Sequence, residues 1–197
     1  MRKVCLVTGT PGVGKTTLCS ALARELPTRY QHISFGGLIL KCLNEDGFGG
    51  TEADLRRRVS QLVTAQVISR ATDLLVQETN ADGNENLWLL LDSHAVSQDR
   101  FGFIATPDGP SYFQRLRYSA IINLFADPTE VLKRSNPDET GRQARTADDV
   151  ATHANLQNAV TVLYSAFSAC PAFFVDANAR AGCLTEVVDR LLCPQEH

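Results

Sequence analysis

Long hydrophobic runs are missing from the 197-residue sequence. The first apolar stretch, VCLV at positions 4–7, ends at Thr8 and is too short for the core of a secretory signal peptide. No other run approaches the roughly 20 residues of a transmembrane helix. We therefore expect no membrane partner and a cytoplasmic location.

Paired cysteines are missing as well. None of the six cysteines forms a C-x-x-C pair, and no zinc-ligand spacing appears. Most lie in apolar runs, as in KVCLV and RLLCP, which favours small buried thiols in a reducing compartment. The six are Cys5, Cys19, Cys42, Cys170, Cys183 and Cys193.

The sequence also has no large excess of charge. Its 19 basic and 22 acidic residues give a formal net charge of −3, which argues against a nucleic-acid partner. The hydrophobic fraction of 44% and the charged fraction of 21% are close to globular averages. With no repeat and no linker, residues 1–197 are expected to form a single domain.

Short apolar runs alternate with helical patterns along the chain. Four runs predict buried strands: KVCLV (3–7), LWLLLD (87–92), SAIINLFA (119–126) and PAFFVDA (171–177). HISF (32–35) is a shorter strand candidate. This alternation is typical of an α/β fold, a parallel sheet with helices on both faces, in which ligands bind at the carboxyl ends of the strands.

Capping signals mark the helices. Thr51 with Asp54 predicts the start of one long helix over 51–78, and Thr146 with Asp149 predicts another over 146–169. Asp127 before Pro128 predicts a shorter helix. The expected buried stripes are Val59, Val63, Val67 and Ala71 on the first helix, and Leu156, Val160, Leu163 and Phe167 on the second. Residues 97–114 have no clear period and are interpreted as a functional loop.

The strongest motif is a glycine-rich loop at positions 9–17. Gly9, Gly14, Lys15 and Thr16 satisfy G-x-x-x-x-G-K-[ST], between a predicted strand and a predicted helix. Such a loop curls its backbone N–H groups around phosphate oxygens, and this context favours it over a chance glycine turn. We expect a solvent-facing Lys15 to reach the β- and γ-phosphates of a bound nucleotide. The predicted ATP-binding residues are Gly9, Thr10, Pro11, Gly12, Val13, Gly14, Lys15, Thr16 and Thr17.

Two residues are predicted to hold a magnesium ion. The Thr16 hydroxyl is the usual ligand from such a loop, and Asp92 ends a buried strand that we expect beside it. An ordinary strand-end aspartate is the alternative for Asp92. His94 either touches the acceptor of the phosphoryl group or satisfies a loop carbonyl.

Arginines are the candidates for stabilising charge during phosphoryl transfer. Arg134, Arg142 and Arg145 lie in or beside a polar segment, from which guanidinium groups can reach the phosphates once substrates bind. A solvated, charged loop is the alternative. Among three consecutive arginines at 56–58, Arg56 is the candidate for an acceptor phosphate, because neighbouring residues on a helix point about 100° apart.

With these pieces in place, the chain resembles the archaeal-type adenylate kinases, which are P-loop nucleoside monophosphate kinases. The matching stretches are VTGTPGVGKTT (7–17), HISFG (32–36), DSHAV (92–96) and DET followed by arginines (138–145), and they span nearly the whole chain. The resemblance implies a P-loop fold with a five-stranded parallel sheet, a helical acceptor-binding part and a short lid. It also raises a homotrimer as the oligomeric state.

The resemblance further implies Mg²⁺·ATP as the phosphate donor, with Mg²⁺ as the cofactor, and AMP as the first acceptor to consider. Lys15, Arg134, Arg142 and Arg145 would act in catalysis. Phe35, Gly36, Arg56, Asp92 and His94 would bind the acceptor.

Departures from the family pattern keep other functions open. Gly37 stands where the family has an acidic residue, and the lid arginines are spread as GRQAR (141–145). The alternatives are a small-molecule kinase with another nucleotide or a non-nucleotide acceptor, and a slow ATPase that acts as a nucleotide-binding switch. The chain has no N-K-x-D motif, which argues against a GTPase switch.

Overall fold

A five-stranded parallel sheet forms the centre of the computed structural model, which describes residues 2–80, 86–99, 102–106, 115–134, 146–178 and 181–194. Its strands are β1 (Lys3–Gly9), β2 (Tyr30–Ser34), β3 (Trp88–Asp92), β6 (Ala120–Phe125) and β7 (Ala172–Asp176), in the spatial order β2-β3-β1-β6-β7. Each predicted strand corresponds to one of these. The predicted α/β fold with a five-stranded parallel sheet is confirmed.

Helices cover both faces of this sheet. They are α1 (Lys15–Glu25), α2 (Phe35–Glu45), α3 (Glu52–Arg57), α4 (Val59–Leu62), α5 (Ala65–Asn80), α6 (Pro128–Lys133), α7 (Ala147–Ser168) and α8 (Ala181–Leu192). One apolar core packs α1 and α8 against the sheet, and a second packs α5 and α7 against its other face. A third cluster joins α2, α3 and α5 into a helical part beside the sheet. No helix in the described part of the chain is long and apolar enough to cross a bilayer.

The prediction of one long helix over 51–78 was wrong. Three helices, α3, α4 and α5, occupy this stretch. The chain turns extended at Val63, and the Thr64 hydroxyl accepts a hydrogen bond from Val67 N at 3.3 Å, which starts α5 as a new helix. Of the predicted stripe, Val67 and Ala71 are buried, whereas Val59 is 41% exposed. The predicted capping box of Thr51 and Asp54 is present at the start of α3.

Part of the predicted loop over 97–114 is a β-hairpin. Strands β4 (Val96–Asp99) and β5 (Gly102–Ala105) pair antiparallel, with Val96 opposite Ala105. Gly102 has a φ of 140°, a conformation that glycine adopts without strain. A hairpin this short leaves little period-2 signal in the sequence. Residues 107–114 lie outside the described residues.

The predicted buried stripe of α7 was largely wrong. Leu156, Leu163 and Phe167 are 38%, 54% and 58% exposed, and only Val160 packs against the core. The buried side of α7 instead carries the side chains of Val150, His153, Gln157, Thr161 and Tyr164. The helix itself, its capping box of Thr146 and Asp149, and the Asp127 cap of α6 agree with prediction.

The cysteines are free thiols, as expected. Cys5, Cys19 and Cys42 are buried, and Cys170 and Cys193 are partly buried. Cys183 on α8 departs from the expected burial, because its side chain is exposed.

Candidate active site

Some of the predicted site residues meet at the carboxyl edge of the sheet. Val7 of β1 pairs with Asp92 of β3, and Ser34 of β2 pairs with the same aspartate. On the other side of β1, Gly9 pairs with Leu124 of β6. The parallel arrangement therefore brings the start of the glycine loop, Asp92 and the start of α2 together at one edge.

The loop requires glycine at its first position. Gly9 has a φ of 141°, and a Cβ placed there would lie only 2.4 Å from the carbonyl oxygen of Leu124. Gly12 and Gly14 also have positive φ values, of 92° and 110°. These conformations let the backbone turn tightly, with Val13 N donating to the carbonyl oxygen of Thr10 at 3.2 Å.

The loop leads directly into the amino terminus of α1. Gly14 precedes the helix in a left-handed conformation, and no described side chain caps the first backbone N–H groups. An uncapped helix start presents N–H donors and the positive end of the helix dipole, which together favour an anion. The side chains of Thr16 and Thr17 are exposed in this first turn. The glycine loop and the first turn of α1 thus present backbone N–H donors and two threonine hydroxyls next to one another.

Lys15 is buried, so the expectation of a solvent-facing side chain was wrong. Its side chain reaches back into the loop, where Nζ donates to the carbonyl oxygen of Gly9 at 2.9 Å and to that of Thr10 at 3.1 Å. These two carbonyls hold the ammonium group beside the mouth of the loop. Sequence reasoning missed this because it considered only the ligand as a partner for the lysine.

Thr16 and Asp92 form the oxygen pair that a magnesium ion would require. The Thr16 hydroxyl donates to Asp92 Oδ2 at 2.5 Å, across a separation of 76 residues in sequence. A hydroxyl and a carboxylate are ligands that Mg²⁺ accepts, and Mg²⁺ commonly takes its remaining ligands from phosphates and water. No cluster of three metal-binding side chains occurs among the described residues, so any cation here would depend on the nucleotide for most of its ligands. The residues present therefore fit Mg²⁺ carried with a nucleotide.

The surroundings of Asp92 favour its ionised form. Burial alone would raise the pKa of its carboxyl, but His32, the Lys15 ammonium and the Thr16 hydroxyl together hold that pKa below its usual value. Asp92 is 8% exposed. The site therefore holds a buried negative charge near the Lys15 ammonium and hydrogen-bonded to the Thr16 hydroxyl.

His94 contacts the loop. Its Nδ1 lies 3.2 Å from the carbonyl oxygen of Gly9 and donates to it, while its own carbonyl accepts from the Thr106 hydroxyl at 2.6 Å. Burial and the neighbouring Lys15 charge lower the pKa of His94 to about 3, so the imidazole is neutral. Of the two interpretations, the structure shows the loop-carbonyl contact, and an acceptor contact stays a prediction.

A buried polar network behind the loop was missed by sequence reasoning. Gln157 of α7 donates to the Thr8 hydroxyl and accepts from Val96 N at 2.9 Å. Thr8 also accepts from Ala95 N at 2.9 Å, and His153 donates to the carbonyl oxygen of Val96 at 2.9 Å. These bonds fix the chain after Asp92 against β1. The polar spacing of His153, Gln157 and Thr161, four apart, was the available signal.

The remaining predicted residues lie in the helical part, at the end of α6, or outside the described residues. Phe35 and Gly36 begin α2, and Phe35 is partly buried between two apolar clusters. Arg56 forms a salt bridge with Glu52 of its own helix at 2.5 Å. Arg134 is exposed and donates to Asn178 Oδ1 at 3.2 Å. Arg142 and Arg145 lie outside the described residues.

The site can be compared with known proteins. The family model described as an AAA domain matches residues 8–153. The adenylate kinase of Thermococcus sibiricus is 25% identical over 191 residues, covering 96% of this chain and 93% of the relative. That of Pyrococcus abyssi is 23% identical over 198 residues, covering 98% and 94%. That of Methanopyrus kandleri is 24% identical over 171 residues, covering 85% of both.

The residues that the family model matches include the glycine loop and Asp92. The family model spans most of the chain, from the end of β1 into α7. The chain therefore belongs to the AAA domain family, and it is similar over nearly its whole length to archaeal adenylate kinases.

Proposed function

We propose that the protein transfers the γ-phosphoryl group of Mg²⁺·ATP to a nucleoside monophosphate, with AMP as the first acceptor to test. The observation that carries the proposal is the convergence of Lys15, Thr16 and Asp92 at the glycine loop. Relatives named adenylate kinase, similar over most of their own length, support this acceptor class.

The loop supplies the donor half of the site. Backbone N–H groups of the loop and of the first turn of α1 would bind the phosphates, and the Lys15 ammonium would exchange the carbonyls of Gly9 and Thr10 for phosphate oxygens. Thr16 and Asp92 would hold the magnesium ion. When bound, that ion neutralises charge on the β- and γ-phosphates.

The reaction itself makes one bond and breaks one. A phosphate oxygen of the acceptor attacks the γ-phosphorus of ATP, the bond from that phosphorus to the β–γ bridging oxygen breaks, and ADP leaves. An anionic phosphate oxygen is already a nucleophile, so the site needs charge stabilisation more than a general base. Arg134, Arg142 and Arg145 are proposed to supply it.

The acceptor half is assigned to the start of α2 and to Arg56. Arg56 would have to exchange Glu52 for the acceptor phosphate, and exposed i,i+4 ion pairs of this kind are weak enough to exchange. Arg56→Ala should raise the acceptor KM and leave the ATP KM nearly unchanged. Arg57→Ala is the matched control, because Arg57 pairs with Asp54 on the same helix. Equal effects on both substrates would remove Arg56 from the acceptor site.

A second candidate function is phosphorylation of a different acceptor. At position 37, where related sequences are expected to carry an acidic residue, this chain has an exposed glycine whose N–H donates to the Ser34 hydroxyl at 3.2 Å. Without a carboxylate there, an acceptor other than AMP becomes a specific alternative. A third candidate is a nucleotide-binding switch, which would hydrolyse ATP slowly and transfer its phosphoryl group to no acceptor.

One screen separates these functions. Purified protein with Mg²⁺·ATP is given individual nucleoside monophosphates and then non-nucleotide acceptors, while ADP formation is followed, with Lys15→Met as the blank. AMP-dependent ADP formation supports the proposal, and dependence on another acceptor supports the second candidate. ADP release that no acceptor accelerates would contradict both.

A further inference from the structure

His32 carries an orphaned polar atom next to the proposed magnesium site. Its Nε2 is buried and makes no hydrogen bond to any described residue. Asp92 Oδ2 lies 3.8 Å from this nitrogen, just beyond hydrogen-bond distance. His32 is in β2, directly beside β3, which carries Asp92. A buried nitrogen left without a partner costs free energy, so its position beside a carboxylate calls for a functional reason.

The other nitrogen of the ring is held by α1. His32 Nδ1 lies 3.2 Å from the hydroxyl oxygen of Ser20. A hydroxyl can donate or accept, whereas a neutral imidazole has one donor and one acceptor nitrogen. If Ser20 donates to Nδ1, the ring proton is on Nε2 and faces the Asp92 carboxylate. The opposite tautomer would turn a lone pair towards that carboxylate, which is repulsive. In a neutral ring, the charge of Asp92 therefore selects the arrangement in which Ser20 donates.

Side chains from two elements thus lie next to Asp92 Oδ2. Thr16 of α1 donates to it at 2.5 Å, and the Nε2–H group of His32 faces it from β2. A rotation of the ring that moves Nε2 by less than about 1 Å would bring it within hydrogen-bond distance. Hydrogen bonds behind a metal-associated carboxylate fix its orientation, and their loss commonly weakens metal binding by about 10- to 100-fold.

We propose that His32, oriented by Ser20, is a positioning residue that aims the Asp92 carboxylate at the magnesium ion of the bound nucleotide. The inference rests on the proposed function for its metal and its nucleotide. His32 acts through Asp92 and does not touch the reacting atoms. The competing arrangement is a direct contact between Nε2 and the phosphate of the acceptor, since β2 leads straight into α2.

Equilibrium binding of ATP distinguishes these arrangements without relying on turnover. Calorimetry gives the Kd of ATP in EDTA and in Mg²⁺, and the ratio of the two is the metal enhancement. His32→Phe should reduce that enhancement by about 10-fold or more and leave the Kd in EDTA nearly unchanged. His32→Gln should restore much of it, because the amide can place an N–H group near the position of Nε2. Ser20→Ala should reduce it less, and should add nothing in the His32→Phe background.

The matched control is Gln31→Ala. Gln31 precedes His32 in β2, points to the other side and accepts from Arg2 Nη1 at 3.2 Å, so its loss disturbs the same strand without touching Asp92. Thermal melts check that every variant is folded. If His32→Phe does not fold, the separate variants His32→Gln and Ser20→Ala carry the test.

The outcomes separate this inference from the proposed function. An unchanged metal enhancement in folded His32 variants, or a wild-type protein without any metal enhancement, would overturn the inference. A rise in acceptor KM alone would assign His32 to the acceptor instead. If no acceptor is phosphorylated but the metal enhancement still depends on His32 and Ser20, the proposed function fails and the inference stands.

Discussion

Lys15 Nζ lies 2.9 Å from the carbonyl oxygen of Gly9, so the loop binds its own lysine. A second bond, to the carbonyl of Thr10 at 3.1 Å, holds the ammonium in place. Charged acceptors make stronger hydrogen bonds than neutral carbonyls, so an incoming triphosphate can displace both. The free loop therefore holds the lysine close to the position where phosphate would bind.

Lys15→Met should lower phosphoryl-transfer turnover by about 100-fold or more, because a donor aimed at developing charge is lost. It should also lower the free energy of unfolding by about 1–3 kcal/mol, since two loop carbonyls lose their donor. Steady-state kinetics and denaturant unfolding measure the two effects. Lys41→Met, at an exposed lysine of α2, is the control and should change neither. A Lys15 variant that keeps most of its turnover would contradict the assignment.

Gly9→Ala should destabilise the protein by about 2–4 kcal/mol, because the new Cβ combines a strained φ with steric overlap. The overlap is with the carbonyl oxygen of Leu124, at 2.4 Å. Gly36→Ala is the control for stability: a Cβ there meets only the Ser34 hydroxyl, at 3.8 Å, within a helix. Urea unfolding compares the two, and equal stability losses would show that the close approach of Gly9 to β6 is not what constrains the loop.

Gln157→Leu should lower the free energy of unfolding by about 2–4 kcal/mol, since the buried Val96 N–H loses its acceptor and Thr8 loses a donor. We also expect a higher KM for nucleotide, because these bonds fix the chain after Asp92. Asn155→Ala, at an exposed position of the same helix, is the control. A stable Gln157→Leu protein with normal kinetics would show that the network is not needed to hold the site.

The sheet and the loop could be predicted because their signals are local. LWLLLD and SAIINLFA are mostly apolar runs, and the glycine pattern sets its own backbone conformation. The break at Val63 could not be predicted from period alone, because the stripe of Val59, Val63 and Val67 continues through it. A pattern that is compatible with one helix does not exclude two shorter ones.

The buried face of α7 shows a second limit of prediction from the sequence. Leu163 and Phe167 were expected inside, yet they are exposed, while Gln157 and Thr161 are buried. The buried side is chosen by long-range hydrogen bonds to Thr8 and Val96, and these partners become neighbours only in the folded chain. Hydrophobicity ranks side chains one at a time, so it cannot anticipate polar groups that satisfy one another.

Because of His94, the free energy of unfolding should fall as the pH becomes acidic. Its pKa is lowered to about 3 in the folded state, below the unfolded value of about 6.5, so the unfolded state binds the proton more readily. The neutral, buried ring therefore contributes fully above about pH 6.5, and its contribution falls as the pH drops towards 3. Between about pH 7 and pH 4.5, this group should lower the free energy of unfolding by about 2 kcal/mol.

His94→Gln tests this dependence, because glutamine can still donate to the Gly9 carbonyl but does not titrate. The unfolding free energies of the two proteins are compared at a series of pH values. We expect the variant to have the flatter curve between about pH 7 and pH 4.5. Parallel curves would mean that other groups account for the acid sensitivity.

Arg134, Arg142 and Arg145 are proposed to stabilise the charge that develops during phosphoryl transfer. Charge develops on the transferred phosphoryl group, and planar guanidinium groups bind such oxygens in pairs, which an ammonium cannot do. Arg142 and Arg145, three apart, would share a face in a helical turn. Arg142→Lys and Arg145→Lys should therefore each lower kcat by about 100- to 1,000-fold, with smaller changes in both KM values.

Arg24→Lys provides the matched control for these variants. Arg24 is exposed on α1 beside Glu25, away from the glycine loop, so its replacement should leave kcat unchanged. A bisubstrate analogue should bind more weakly to the Arg142 and Arg145 variants than to the control, because it mimics the state in which both substrates are held. If both variants keep near-normal kcat, the arginines are not part of the catalytic machinery, and the assignment of Lys15, Thr16 and Asp92 would have to account for the rate alone.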